Sequence, residues 1–431
     1  MVLLVLLLLA LPFLLSFLLR KLKTKRNLHL PPGPKGLPFI GNLHQFDSLN
    51  PHSYLWQLSQ KHGPVMSLRL GFVPILVVSS AKMAEAVMKT HDLIFCSRPA
   101  LVGQQKLSAK FRPIREFELS NMLEKISKSA VASKPVNLSE ALMSLTSTII
   151  CRIAFGKRYE EDGVGRSRFQ ELLKEAQALS TCFFIIQEHL DPSRSKPAEE
   201  DILDILLQLW KDRSFKVDLT FDNIKAVLMN VFVGGTDTRA ATVVWAMTLL
   251  MKNPMAMKKA QEEVRKLVGR KDFVEEADCQ QLPYLKAVIK ETMRLQPTAP
   301  LLVPRESTED CVLDGYDIAA KTVVYVNAWA IGRDPEIWEN PEEFNPERFI
   351  NSSIDLKGQD FELTPFGAGR RICPGIFMGL ATVEVSLANL LHKFDWEMPV
   401  GMKKEDLDMD VQPGITMHKK NALCLMARKY A

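Results

Sequence analysis

The chain of 431 residues carries three kinds of hydrophobic pattern. The first is continuous. Val2 to Leu19 are almost wholly apolar, a run just long enough to cross a bilayer core as a helix, and Pro12 is tolerated in such a helix. Arg20, Lys21, Lys23, Lys25 and Arg26 follow at once, which predicts a cytosolic body and a lumenal N-terminus. A cleaved signal peptide expects cations before the run and a small-residue cleavage site after it, and both are missing. Pro31, Pro32, Pro34 and Pro38 then predict a stiff, extended hinge. The second pattern has the period of strands. Val65–Leu70 and Val73–Val78 flank Gly71 and predict a hairpin. Cys311–Ile318 contains an Asp314-Gly315 turn, and Thr322–Val326 is expected to pair with it. Ile415–His418 and Ala422–Met426 predict a closing hairpin around Lys420-Asn421. The third pattern is helical and dominates residues 115–300. Ser80 predicts a capped helix through Lys89, Asp191–Pro197 a polar loop, and Thr220–Lys252 the longest helix, which ends before Pro254. The expected fold is mainly α with small β-sheets, behind an N-terminal transmembrane helix.

Composition narrows the function classes. Hydrophobic residues are 47% and charged residues 24%, enough for a sizeable core. A net charge of +5, from 55 basic and 50 acidic residues, is too mild to argue for nucleic acid. Seven scattered cysteines with no C-x-x-C pair suggest neither a zinc site nor a disulfide framework, and fit a reducing compartment. Cys151, Cys182, Cys279, Cys311 and Cys424 read as ordinary packing residues.

Cys373 differs, because of what surrounds it in Phe366-Gly367-Ala368-Gly369-Arg370-Arg371-Ile372-Cys373-Pro374-Gly375. A thiolate that ligates a metal is stabilised by backbone N–H groups, a helix N-terminus and nearby cations. Gly367, Gly369 and Gly375 let the backbone approach a large flat cofactor. Arg370 and Arg371 can meet its anionic groups, and Phe366 its apolar face. The pattern F-x-x-G-x-R-x-C-x-G is unbroken, and in this the chain resembles the cytochrome P450 family. The resemblance implies heme b with Cys373 as axial thiolate.

Further stretches extend the resemblance. Gly234-Gly235-Thr236-Asp237-Thr238 falls in the middle of the longest helix, where two glycines cost about 1 kcal/mol each. A local opening of the hydrogen-bond ladder is expected there. Gly234, Asp237 and Thr238 share one helix face, and an acid and an alcohol beside a widened groove could pass protons to dioxygen. A helix seam with Thr238 bonded to its own backbone is the plainer alternative. The stretch matches the family's oxygen-activation motif. Arg239 departs from it, since the family usually has a small residue there. Glu291 and Arg294 match the family's E-x-x-R, completed by Arg348 in Pro346-Glu347-Arg348-Phe349. The resemblance implies a structural triad there, and a heme-propionate contact for Arg305.

The likeness is greatest to plant microsomal members acting on small lipophilic secondary metabolites. It implies an NADPH-dependent flavoprotein reductase as partner, O2 as co-substrate, and the endoplasmic reticulum membrane as location, single-pass. Domain expectations are an anchor at 1–19, a basic and Pro-rich hinge at 20–40 and a heme-thiolate catalytic domain at 41–431. Two family segments are missing, near 108–111 and 180–187. The first would carry a W-x-x-x-R helix whose tryptophan and arginine hold a propionate, and the second the roof of the substrate pocket. The expected function is insertion of one oxygen atom of O2 into a lipophilic substrate. A hydroperoxide isomerase or dehydratase is a second reading, which the acid–alcohol pair opposes. A shortened chain that misfolds, or binds heme without turnover, is a third.

Overall fold

A computed structural model of the chain describes residues 29–96, 111–156, 186, 189–191, 200–213, 219–412 and 414–430. The expected anchor at 1–19, the basic start of the hinge, most of both expected junctions, Cys182 and most of the polar loop lie outside the described residues. Among the described residues no helix is long and apolar enough to cross a membrane.

The long helix Phe221–Lys252 organises the core. Thr220 caps it by accepting from the Asn223 N–H at 3.2 Å, while Asn223 Oδ1 accepts from the Thr220 N–H at 3.0 Å. This reciprocal pair satisfies two donors that would otherwise be orphaned at the helix start. From Arg239 to Met251 every residue of the helix is buried. Helices Leu138–Phe155, Pro283–Leu295 and Ile376–Lys393 pack around it. Ala246, Met247, Leu250, Leu387, Leu390 and Leu391 form the seam at this centre. Truncating one such leucine to alanine would cost about 2–5 kcal/mol. Trp245 is fully enclosed and donates its indole N–H to the Met417 carbonyl at 2.9 Å, tying the helix to the C-terminal strands.

The expected opening at Gly234-Gly235 is absent, and helix runs through both residues. Packing explains the glycines instead. A Cβ on Gly235 would lie 2.6 Å from Ile150 Cδ1 and 2.9 Å from Arg239 Nη2, so glycine lets the helices close. A Cβ on Gly234 would meet nothing within 4 Å, so that face is bare.

The sheets are small. Val65–Leu70 and Val73–Val78 form the expected hairpin. Cys311–Leu313 and Tyr316–Ile318 pair across Asp314 and Gly315, both at positive φ, as a two-residue type I′ turn requires. Two expected pairings are corrected. Val323–Val326 does not join Cys311–Ile318; it lies parallel to Val73–Val78 and antiparallel to Arg305–Glu306. The C-terminal segments do not close on each other either. His418–Lys419 pairs with Val411–Gln412, and Cys424–Lys429 with Phe394–Glu397 and Val136–Asn137. The helix after Ser80 is α over Ala81–Glu85 and widens to a π turn over Ala86–Thr90.

The described part of the hinge is docked along the first strand. Ser67 donates its N–H to the Pro32 carbonyl and its hydroxyl to that of Pro31, both at 2.8 Å. A Cβ on Gly33 would fall 1.8 Å from the Ser67 carbonyl oxygen, so only glycine allows this approach.

Candidate functional site

The cysteine loop is folded back on itself just before helix Ile376–Lys393. Cys373 donates its backbone N–H to the Phe366 carbonyl at 2.9 Å, and Ile372 donates to the Gly369 carbonyl at 3.1 Å. Gly369 takes φ +67°, and a Cβ there would fall 2.1 Å from the Met88 carbonyl oxygen of the π turn. Gly367 also has positive φ, but a Cβ there would meet nothing closer than 3.8 Å. Gly375 is similar, with only Cys373 Sγ at 4.0 Å. The loop is therefore clamped at Gly369 and leaves a bare cradle at Gly367 and Gly375.

Cys373 stands three residues before Ile376, the first residue of the cysteine helix. Burial pushes its thiol up, while the Gly375 backbone N–H and the charge of Arg239 pull it back toward the anion. At two other buried thiols the only opposing influences are a Ser147 hydrogen bond on Cys151 and the Lys286 charge on Cys279. Burial leaves Cys151 and Cys279 at about 12. The Phe366 ring is half-buried beside Gly379 of the same helix.

Arg305 donates Nη2–H to the Ala368 carbonyl at 3.2 Å, while its Nη1 is buried without a partner. Burial lowers its pKa, and the charge of Arg371 lowers it further. Two cations and an unpaired buried donor fit an anionic group of a cofactor lying on the bare glycines. Arg370 points elsewhere, since its Nε–H is held 2.6 Å from Asp92 Oδ2.

On the long helix, Thr238 donates its hydroxyl to the Gly234 carbonyl at 2.8 Å, as a side chain bonded to its own backbone. Asp237 is partly exposed, with Oδ2 3.8 Å from His418 Nε2. His418 carries no sequence motif that marks it; only the pairing of the C-terminal strands brings it here. Arg239 turns inward, donating Nε–H to the Gly235 carbonyl at 2.5 Å and Nη1–H to Thr382 Oγ1 at 3.2 Å.

Glu291, Arg294 and Arg348 meet where helix Pro283–Leu295 packs on the turn Pro346–Phe349. Glu291 accepts from Arg294 Nε at 2.7 Å and Nη2 at 2.8 Å, from Arg348 Nε at 3.1 Å and from the Asn345 N–H at 2.9 Å. Arg294 spends its other donors on the carbonyls of Gly332, Pro341 and Glu343. Every N–H of its guanidinium is satisfied with no water access.

A W-x-x-x-R pair does occur, as Trp329 and Arg333, but far along the chain from Ser108. Its guanidinium stacks 3.7 Å from the Trp329 ring and its Nε donates to Glu342 at 3.2 Å. Both residues line a cleft of about 560 Å³ with His52 and Asp410, and that cleft contains no residue of the cysteine loop.

Comparison with known proteins follows this geometry. The family model described as Cytochrome P450 matches residues 31–108 and 167–426. A 6,7,8-trihydroxycoumarin synthase of Pastinaca sativa is 46% identical over 477 residues, covering 94% of each chain. A 5-OH-xanthotoxin synthase of Ammi majus is 44% identical over 474 residues, covering 93% of each. Both spans exceed the 431 residues present here, so these relatives carry internal residues that this chain lacks. A zebra fish cytochrome P450 solved with abiraterone superposes with a TM-score of 0.74 at 25% identity, covering 89% of this chain and 99% of its own.

Proposed function

The chain belongs to the cytochrome P450 family as a plant heme-thiolate monooxygenase, and from that premise we propose that it inserts one oxygen atom of O2 into a small lipophilic aromatic substrate of the coumarin type. The names of its relatives, as synthases of 6,7,8-trihydroxycoumarin and of 5-OH-xanthotoxin, support that class. Electrons come from a membrane-bound NADPH-dependent flavoprotein reductase. The apolar run Val2–Leu19 anchors the chain to the endoplasmic reticulum membrane, and the docked Pro-rich segment fixes the attitude of the cytosolic body.

When bound, heme would supply the oxygen activation, and Cys373 would hold its iron as a thiolate. Gly367 and Gly375 would leave room for the flat cofactor, and Phe366 would cover its apolar side. Arg305 and Arg371 would hold its propionates. Asp237 and Thr238 relay protons along the bare face at Gly234, with the Thr238 hydroxyl oriented by its bond to the Gly234 carbonyl. Glu291, Arg294 and Arg348 hold helix Pro283–Leu295 to the turn Pro346–Phe349. The acid–alcohol pair disfavours a hydroperoxide isomerase.

The observation that carries this reading is Cys373 placed just before a helix start, in a loop clamped at Gly369 and bare at Gly367 and Gly375. A carbon-monoxide difference spectrum of the reduced protein in membranes tests it. Cys373→Ser should abolish the thiolate band, and Cys311→Ser should leave it. Equal spectra from both variants would defeat the assignment. A product one oxygen heavier from coumarin or xanthotoxin, dependent on NADPH and reductase, tests the substrate class.

A further inference from the structure

Asp237 and His418 come together from distant parts of the chain. Asp237 lies in the middle of the long helix Phe221–Lys252, and His418 opens the short strand His418–Lys419 near the C-terminus. Asp237 Oδ2 stands 3.8 Å from His418 Nε2. Among the described residues neither side chain has any other hydrogen bond or ion pair, so each is the other's single polar partner.

The backbone that carries His418 is pinned on both sides of it. The Met417 carbonyl accepts from Trp245 of the long helix at 2.9 Å, and the Met417 N–H donates to the Thr298 carbonyl at 2.8 Å. Lys419 is buried with its ammonium 2.7 Å from Asp408 Oδ2, and His418 itself pairs with Gln412. The imidazole is thus presented to the helix from a fixed strand. Asp237 has no such support of its own. Its side chain is 44% exposed, and the adjacent Thr238 hydroxyl is bonded to the Gly234 carbonyl rather than to the carboxylate. Proton transfer between the two needs the carboxylate within hydrogen-bond reach of that hydroxyl, directly or through one water. A donor fixed beside Asp237 narrows its choice of rotamer. The 3.8 Å separation is longer than a hydrogen bond, and a small rotation of either side chain or one bridging water closes it.

We propose that His418 is a positioning residue for the proton relay, its Nε2–H holding the Asp237 carboxylate beside Thr238. The inference rests on the reading of Asp237 and Thr238 as that relay. His418 acts through Asp237 and has no contact of its own with the reacting atoms.

The test uses the heme-loaded full chain with its reductase, NADPH and coumarin, and reads the hydrogen peroxide formed per NADPH. His418→Ala should raise that ratio about threefold, the scale of one partly exposed charged contact. His418→Phe fills the space without a polar donor and should match His418→Ala, whereas His418→Gln keeps a donor and should return roughly half of the difference or more. In an Asp237→Ala background His418→Ala should add nothing, because the group it positions is gone. The carbon-monoxide band should keep its thiolate position throughout. A second reading needs no turnover: a double-mutant cycle of Asp237→Ala and His418→Ala in urea unfolding should show a coupling of about threefold in the unfolding equilibrium. An unchanged peroxide ratio in His418→Ala, the same rise in the Asp237→Ala background, full recovery in His418→Phe or an uncoupled cycle would each overturn the proposal. Should His418→Ala not accumulate as folded protein, His418→Phe reads the same ratio. An unchanged ratio in Asp237→Ala alone is the separate result that would remove the relay itself.

Discussion

Glu291→Ala is the sharpest perturbation of the buried triad of Glu291, Arg294 and Arg348. Glu291 and Arg294 are both 0% exposed, and the carboxylate accepts four hydrogen bonds, three of them from guanidinium groups. Removing it leaves the Arg294 charge buried beside three carbonyls and the Trp338 ring, whose centroid is 5.3 Å away. Breaking a buried pair by deleting one partner costs about 3–5 kcal/mol. The orphaned Asn345 N–H adds about 1 kcal/mol, while the carbonyls keep the total near the middle of that range. About 4 kcal/mol is therefore expected. Arg348→Ala is the control. Its side chain is 12% exposed and gives Glu291 one bond at 3.1 Å, so about 1 kcal/mol should be lost. Urea unfolding of the purified full chain, followed by tryptophan fluorescence, measures both. With an m-value of roughly 3 kcal/mol/M, Glu291→Ala should lower the midpoint by about 1.3 M. A loss below about 1 kcal/mol, or a larger loss in Arg348→Ala, would refute the reasoning that burial, not the count of ion pairs, sets the magnitude.

Two buried groups should tilt stability with pH in opposite directions. Burial, with Lys286 opposing and Glu276 adding, raises Glu384 to about 7, so its stabilising contribution is full below about 4.5 and lost as pH rises through 7; Glu384→Gln should stabilise the chain at pH 8 by roughly 1–3 kcal/mol and change little at pH 4.5. His52 is lowered to about 4, first by burial and then by Arg333, so its contribution is present above about 6.5 and lost as pH falls through 4; in His52→Gln that acid-side loss should shrink in urea titrations. Thr238→Ala should keep heme while diverting NADPH electrons to hydrogen peroxide, and an unchanged peroxide yield would exclude the proton-relay role. A version with the two expected family segments restored should hold more heme per protein and couple NADPH consumption more tightly to product; equality on both measures would show their absence to be harmless.

Much of this was readable from local signals. Thr220, Asn223 and the polar face after them fix where the long helix starts, and Pro254 fixes where it ends, because both are near-neighbour effects. Asp314-Gly315 specifies its own turn. The partners of Val323–Val326 and Cys424–Lys429 were not readable, since a short apolar run is compatible with several sheet edges and only distant packing selects one. Gly234-Gly235 looked like a weak point in a helix; the cost of two glycines is met by the approach of Ile150 and Arg239, which local sequence does not reveal. The cysteine loop announced its donors and glycines. The partnerless Nη1 of Arg305, the inward turn of Arg239 and the position of His418 opposite Asp237 emerge only when segments remote in the chain are brought together.

The parallel pairing of Val73–Val78 with Val323–Val326 has a consequence for synthesis on the ribosome. Val78 aligns with Val326, 248 positions later. At roughly 5–20 residues per second, the first hairpin waits about 12–50 s with one open hydrogen-bonding edge before its partner is made. That edge carries Ile75, Leu76, Val77 and Val78, all buried once the sheet closes. Until then it is an apolar strand able to pair with any other extended segment, including the same hairpin on a neighbouring nascent chain. Yield in a host cell is thus governed by translation speed and by what shields this edge, rather than by the stability of the finished protein.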